Sequence, residues 1–271
     1  MMKKILSLCA VLATLLASAG CEKLRARDQL NKGVQAYKGA KYQEAVEHFE
    51  SAIKNDPTFV NGRLYLATSY MSQWIPGADS PENVIMAKNA QDNFMKVLEI
   101  QPANTVAIAS IASLYFNQKK LDEAKEWYQK LLNVDPNDKT AYYTMGVIAW
   151  TKTFSKRMEA RAKLGMKPED PGPLKDKKVR EEIRGLNLAI VEDGLKNLTK
   201  AIEIDKEYDD AMAYLNLLHR ERADLSDSKE DYLKDIAAAD TWVEKTLETK
   251  KIKNERAQKV QGSVINDAEK K

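Results

Sequence analysis

The chain has 271 residues, 44% of them hydrophobic and 31% charged, which is enough apolar material for a folded core of one or two domains. Glycine (11) and proline (8) are sparse, while alanine, leucine, lysine and glutamate are abundant, and this balance favours helix over sheet. The net charge of +3 lacks the basic excess that is typical of nucleic-acid binders, so we expect no nucleic-acid partner.

The first twenty residues have the pattern of a signal peptide. Lys3 and Lys4 precede an apolar run over residues 5–19, which at about fifteen residues is too short for a membrane-spanning helix. The run ends in the sequence Leu15-Leu16-Ala17-Ser18-Ala19-Gly20-Cys21. This stretch resembles the bacterial lipobox, in which the cysteine receives a diacylglyceryl group and becomes the new N-terminus.

The resemblance implies that residues 1–20 are removed, that Cys21 is the lipid attachment site, and that residues 21–28 form a lipidated linker. Cys9 and Cys21 are the only cysteines, so processing would leave no free thiol in an oxidising compartment. Glu22 follows the cysteine, and among lipoproteins a residue other than Asp there implies the periplasmic face of the outer membrane. An anchor in the inner membrane and secretion without a lipid remain alternatives.

A spacing of small, aromatic, aliphatic and proline residues recurs along the chain. It reads Ala-x₃-Tyr-x₂-Leu-x₄-Pro from Ala124 to Pro136, and a closely similar frame starts at Ala45, Ala90 and Gly194. The frames at Ala90 and Ala124 are 34 residues apart. Small residues at such positions allow two antiparallel helices to approach closely, while the large ones fill the groove between them.

A second signature recurs between the frames and after the last one, at Leu66-Ala67-x₂-Tyr70, Ile111-Ala112-x₂-Tyr115, Met145-Gly146-x₂-Ala149 and Leu215-Asn216-x₂-His219. Together the two signatures resemble the tetratricopeptide-repeat family from about residue 30 to about residue 246, with a weaker first unit at Gly33 and Ala36. The resemblance implies an all-α fold, an α-solenoid of about five antiparallel helix pairs over residues 29–250.

Three segments interrupt the repeat, at about residues 71–83, 151–184 and 222–231. The first contains two prolines and a glycine, which predict a loop. The second predicts two lengthened helices that are joined by a proline-rich turn and project beyond the solenoid. Residues 251–271 are polar and charged, and we expect this C-terminal tail to fray.

Residue types that carry chemistry are scarce. His48 and His219 lie in distant repeats, so no cluster has metal-ligand spacing, and no glycine-rich phosphate-binding loop occurs. Carboxylates alternate with lysine and arginine, as on solvated helix faces. We therefore expect no enzymatic activity, no cofactor, no metal and no small-molecule substrate. The alternative is an enzyme, or an accessory subunit of one, that acts on cell-envelope polymers through residues 151–184.

In tetratricopeptide repeats the first helix of each pair lines a concave groove that holds peptides or partner helices. The resemblance assigns nine residues of this chain to such a groove: Tyr37, Asn61, Leu64, Met71, Phe116, Asn117, Tyr143, Trp150 and Arg220. The resulting hypothesis is a membrane-anchored periplasmic scaffold that binds a protein or peptide during envelope, pilus or secretion assembly. Two alternatives are that the chain's own insertions or tail cover this stripe, and that the repeats are only a spacer.

Overall fold

The computed structural model describes the backbone of residues 21–268 and the side chains as far as residue 259. The predicted signal peptide, residues 1–20, lies outside the described residues. Within residues 21–268 the chain forms ten helices and no strand. Helix α1 covers residues 21–38, and the others are α2 (Tyr42–Asn55), α3 (Val60–Gln73), α4 (Pro81–Ile100), α5 (Thr105–Asn117), α6 (Leu121–Val134), α7 (Lys139–Lys163), α8 (Lys177–Ile204), α9 (Asp209–Asp224) and α10 (Lys229–Ala268). The predicted all-α fold of five repeated helix pairs is confirmed.

The chain divides in sequence between Lys130 and Leu131 into two compact units. In the first unit, the small and aromatic residues of the repeat frame form the core, because Ala45, Phe49, Ala90 and Phe94 are all fully buried. A methyl group on Gly33 would lie 2.5 Å from the Phe49 ring, so the weak first repeat still uses a small residue to admit an aromatic one.

In the second unit, α7 and α8 are in close contact at two glycines. A Cβ atom on Gly146 would lie 2.3 Å from Cγ of Leu198, and one on Gly194 would lie 2.6 Å from Cβ of Ala149. Leu198 is fully buried and belongs to a core that also contains Leu215. The glycines therefore stand where a side chain would push the two helices apart.

The lengthened helices do not project freely. Met166 and Leu174, in the turn between α7 and α8, are buried in a small core with Ala160, Ile183 and Leu225. The backbone N–H of Leu174 also donates to the carbonyl oxygen of Asp224 at 3.0 Å. The expectation that the two helices and their turn project beyond the solenoid is therefore wrong. The apolar side chains of the turn pack against residues at the end of α9.

The two ends of the repeat region also differ from expectation. Residues 21–28, assigned above to a linker, are helical, and Ala26 is buried. Helix α10 continues beyond Lys250, where the sequence predicts fraying. Lys253 bonds to Asp209, and Arg256 lies 2.7 Å from Glu207, so this part of α10 is paired with the start of α9. Among the described residues, none of the helices combines the length and apolarity that crossing a membrane requires.

Candidate functional site

Four of the predicted groove residues lie on α1 and α3 in the first unit. The Tyr37 hydroxyl is 2.8 Å from Oγ of Ser72, which places the end of α1 beside the end of α3. Leu64 and Met71 are half-buried and pack against the core that contains Ala67 and Phe94. Asn61 is exposed at the start of α3. This surface combines partly covered apolar side chains with an exposed asparagine.

Phe116 and Asn117 lie at the end of α5 and are half-buried. The Asn117 side-chain amide donates to Oγ of Ser113 at 3.3 Å, leaving its carbonyl oxygen available to accept a hydrogen bond. Asn117 also lines a recess in the first unit, described below.

The second unit brings Tyr143 and Trp150 together through a residue of α9. The Tyr214 ring centroid lies 5.7 Å from both the Tyr143 and the Trp150 centroids, edge to face in each case. Tyr208 and Phe154 extend the group at 5.1 Å from Tyr143 and 4.9 Å from Trp150. We call these five half-buried residues the aromatic surface.

Burial raises the pKa of the Tyr143 hydroxyl well above its ordinary value, and the neighbouring Tyr214 and Asp210 raise it further. Burial also raises the pKa of Tyr208. Both phenols are therefore neutral over the physiological pH range and can donate hydrogen bonds. The aromatic surface combines large apolar rings with polar tips.

Sequence reasoning missed Phe154, Tyr208 and Tyr214. Phe154 follows Trp150 by four residues on α7, and residues at that spacing share a helix face, so a signal for it was present. Tyr208 and Tyr214 meet α7 only through tertiary packing.

Arg220, the remaining predicted groove residue, is held by its own chain. Its Nε donates to Oδ1 of Asn216 at 2.8 Å, and its Nη2 donates to Oδ1 of Asp240 on α10 at 2.6 Å. The guanidinium group is thus occupied within the second unit, and a ligand would have to compete with these bonds.

A buried ionic network joins α7 to α9. Arg157 donates to Glu221 and Asp224 at 2.8 Å each, and Arg161 donates to both carboxylate oxygens of Asp224 at 2.8 Å. Arg161 also donates to the carbonyl oxygens of Lys167 and Asp170 in the turn after α7. The network therefore fixes this turn in place.

Glu221 is the most perturbed acid of this network. Burial raises its pKa to about 7, although the Arg157 guanidinium pulls in the opposite direction. The residue is only 1% exposed, and its second carboxylate oxygen has no hydrogen-bond partner. A substrate cannot reach a carboxyl group so enclosed, so we assign Glu221 a structural part.

Neither histidine stands in a cluster that could hold a metal. Nδ1 of His48 lies 2.8 Å from Oε1 of Gln29, and Nδ1 of His219 lies 2.9 Å from Oδ1 of Asp235. Throughout the part of the chain that the structure describes, no group of three or more His, Cys, Asp or Glu side chains converges in a metal-binding arrangement.

The family model described as "Tetratricopeptide repeat" matches residues 86–146. This segment of the chain is therefore similar to tetratricopeptide repeats. The matched segment includes the frames at Ala90 and Ala124 and the whole of α5 and α6.

Two curated relatives are similar in sequence to part of the chain. Hsp70-Hsp90 organizing protein 3 from Arabidopsis thaliana is 33% identical over 42% of this chain and 18% of its own length. Sperm-associated antigen 1 from Homo sapiens is 30% identical over 55% of this chain and 17% of its own length. The chain thus matches less than a fifth of either relative.

Among solved structures, the crystal structure of MamA protein superposes with a TM-score of 0.57. The match covers 85% of this chain and 94% of MamA at 13% sequence identity. At this identity the similarity concerns the tetratricopeptide fold alone.

Proposed function

We propose that the chain is a protein-interaction scaffold that binds a partner protein or peptide along the first helices of its repeats, with the aromatic surface as a principal contact. The observation that carries the proposal is the contiguous group of rings that Tyr143, Trp150 and Tyr214 form on α7 and α9. The name of the Arabidopsis relative, an Hsp70-Hsp90 organizing protein, describes a protein that organises other proteins. This agrees with such a role.

The chemistry of the aromatic surface suits protein binding. Tyrosine and tryptophan present large rigid areas with few rotatable bonds, and they are enriched among the residues that dominate interface energies. Since the Tyr143 and Tyr208 hydroxyls stay protonated, they can donate to the backbone carbonyl groups of a bound segment.

The test compares two tryptophans of the second unit that pack on the same core, Trp150 on α7 and Trp242 on α10. Partners are first crosslinked to the wild-type chain in its native membranes and identified by mass spectrometry. We expect Trp150→Ala to weaken capture of that partner at least tenfold, since truncating a central aromatic contact costs about 2 kcal/mol or more. Trp242→Ala should leave capture within about twofold once the folded fraction of each variant is equalised. Equal losses in the two variants would contradict the proposal.

We also propose that a lipid on Cys21 tethers the scaffold to the periplasmic face of the outer membrane, where it serves envelope, pilus or secretion assembly. The lipobox-like sequence before Cys21 and the exposed position of this cysteine support the tether. Two or more acyl chains give stable anchoring, whereas a single chain is marginal.

The tether is tested with Cys21→Ser. We expect this variant to leave the membrane fraction and the wild type to need detergent for extraction, with radiolabelled palmitate incorporated only into the wild type. Membrane retention of Cys21→Ser would contradict lipidation at this residue. Separation of the two membranes by density would then test the outer-membrane assignment.

A further inference from the structure

The first unit contains a recess of about 690 Å³ at the loop that interrupts the second repeat. The loop between α3 and α4 forms one wall, and the turn over residues 117–120 forms the other. Trp74, Val84 and Ala87 supply the apolar lining, and the side-chain amides of Gln91 and Asn117 also line it. We call this feature the lysine recess, for the three lysines described below.

The wall on the α3–α4 side is fixed by one buried amide. Asn83 is 7% exposed, and its side chain accepts from the N–H of Ile75 at 2.7 Å and donates to the carbonyl oxygens of Ile75 and Ala78 at 2.8 Å each. Ser80 caps α4 by accepting from the N–H of Asn83. The lysine recess therefore has its shape before any ligand binds, which lowers the entropic cost of binding.

Large apolar side chains are exposed at this wall. Val84 in the lysine recess is 59% exposed, and the adjacent Ile75 and Ile85 are 64% and 52% exposed. A local group of exposed aliphatic residues next to a preformed recess indicates a surface that another molecule covers.

The charges of the recess are mostly positive. Lys88, Lys119 and Lys120 line it, against the single carboxylate of Asp79. Lys88 forms an ion pair with Asp92 on the same helix. The exposed Lys119 and Lys120 thus provide the main unbalanced positive charge.

Lys119 occupies a backbone conformation that favours glycine. Its φ is +61°, in the turn where α5 ends. A non-glycine residue in this region costs on the order of 1 kcal/mol. The turn after α1 has the same backbone hydrogen bonds and a φ of +57° at Ala40, so this conformation belongs to the turn, which places Lys119 at the rim of the recess.

We propose that the lysine recess binds an acidic segment of a partner protein, with an apolar side chain against Trp74 and Val84 and carboxylates at Lys119 and Lys120. The amide nitrogens of Gln91 and Asn117 donate to Tyr115 and Ser113 within the chain. Their side-chain carbonyl oxygens can accept hydrogen bonds from the backbone of such a segment. The proposal rests on the proposed function in that the ligand is a protein, but it concerns a surface separate in sequence from the aromatic surface.

The test selects random short peptides displayed on phage against the purified full-length chain. We expect enriched peptides to combine an apolar residue with at least two Asp or Glu. Lys119→Glu/Lys120→Glu should weaken their binding at least tenfold, and added salt should weaken binding to the wild type. The matched control Lys38→Glu/Lys96→Glu changes the charge equally on exposed lysines outside the recess, and it should bind as the wild type does.

A second variant guards against misfolding. Lys119→Gly/Lys120→Gln removes both charges and relieves the backbone at residue 119, so we expect it to be stably folded and yet to bind the acidic peptides about tenfold more weakly. No enrichment, enrichment of neutral or basic peptides, or equal binding to this variant would each overturn the proposal. The proposal would also be overturned if the wild type bound vesicles of anionic lipid and not the peptides, and this variant lost the vesicle binding. That result would assign the recess to a membrane surface.

The two proposals fail separately. Trp150→Ala lies outside the lysine recess and should leave peptide binding there unchanged. If acidic peptides bind the recess and Trp150→Ala still captures partners normally, only the role of the aromatic surface is contradicted. If partner capture depends on Trp150 and no acidic peptide is selected, only the role of the lysine recess is contradicted.

Discussion

Gly146 is a point of close contact between α7 and α8. The position that a Cβ would take there is 2.3 Å from Cγ of the fully buried Leu198, an atom close to its own backbone and unable to swing aside. Gly185 on α8 offers the opposite environment, because it is exposed and a Cβ there would meet no atom within 4 Å. Two glycines of adjoining helices thus differ only in what surrounds them.

This contrast gives a prediction of opposite sign for the same substitution. Gly146→Ala should lower the free energy of unfolding by about 1–3 kcal/mol, because it overpacks a filled core. Gly185→Ala should raise it by up to about 1 kcal/mol, because alanine has the better helix propensity. Urea denaturation followed by far-UV circular dichroism measures both. A neutral or stabilising Gly146→Ala would mean that α7 and α8 can separate at little cost.

Residues of the repeat frame were predictable because their constraint is local in sequence. Small residues at Ala45 and Ala90 and aromatic ones at Phe49 and Phe94 recur at fixed spacing, and all four are buried as expected. Steric fit between two helices of one pair needs no knowledge of the rest of the chain.

At the scale of elements, the ionic network attaches the end of α7 to the end of α9. Arg161 and Asp224 are 63 positions apart in sequence, and each side chain is 3% exposed. Their charges resemble those of any solvated helix face, so the sequence pattern does not predict their burial. The burial of the lengthened helices could not be predicted for the same reason: their cover comes from a distant repeat.

Glu221 makes this network sensitive to pH. Its pKa rises from 4.5 to about 7 on folding, mainly through burial, so the folded state holds a proton that the unfolded state releases between these values. Folding is therefore favoured by this group at low pH, and its contribution is lost as the pH rises from about 4.5 through 7. Glu221→Gln cannot titrate and should lack this dependence.

The measurement is the free energy of unfolding of wild type and Glu221→Gln from pH 4.5 to 8. We expect the wild type to lose stability relative to the variant as the pH rises, by on the order of 1–3 kcal/mol. Other titrating groups are common to both proteins and cancel in the difference. A constant difference across the range would place the pKa of Glu221 near its ordinary value.

For the whole chain, α10 is the element whose two halves have different roles. Trp242 packs on the core of the second unit and Thr246 is buried, whereas every described side chain from residue 251 to residue 259 is exposed. Beyond Lys250 the helix is attached through ion pairs. The pair of Arg256 with Glu207 is exposed and contributes little. Asp209, the largely buried partner of Lys253, also has Lys250 at 3.9 Å and so keeps a positive partner without this part of the helix.

Two truncations test this division. Ending the chain after Lys250 should lower the free energy of unfolding by less than about 1 kcal/mol. Ending it after Asp240 removes Trp242 and Thr246 and should cost about 3 kcal/mol or more, because burial of a large aromatic side chain is lost. Thermal and urea unfolding would measure the stability of the two truncated chains relative to the full chain. A large loss from the shorter truncation would show that the end of α10 stabilises the repeats.

The helical state of residues 21–28 has a mechanical consequence. Ala26 is buried five positions after Cys21, and at 1.5 Å per residue this corresponds to about 7–8 Å along the helix axis. A lipid on Cys21 would therefore be joined to the protein core by a short helical segment, without a flexible linker. The first repeat could not swing away from the bilayer as it would on a coil, and its clearance above the headgroups would be set by little more than one turn of helix.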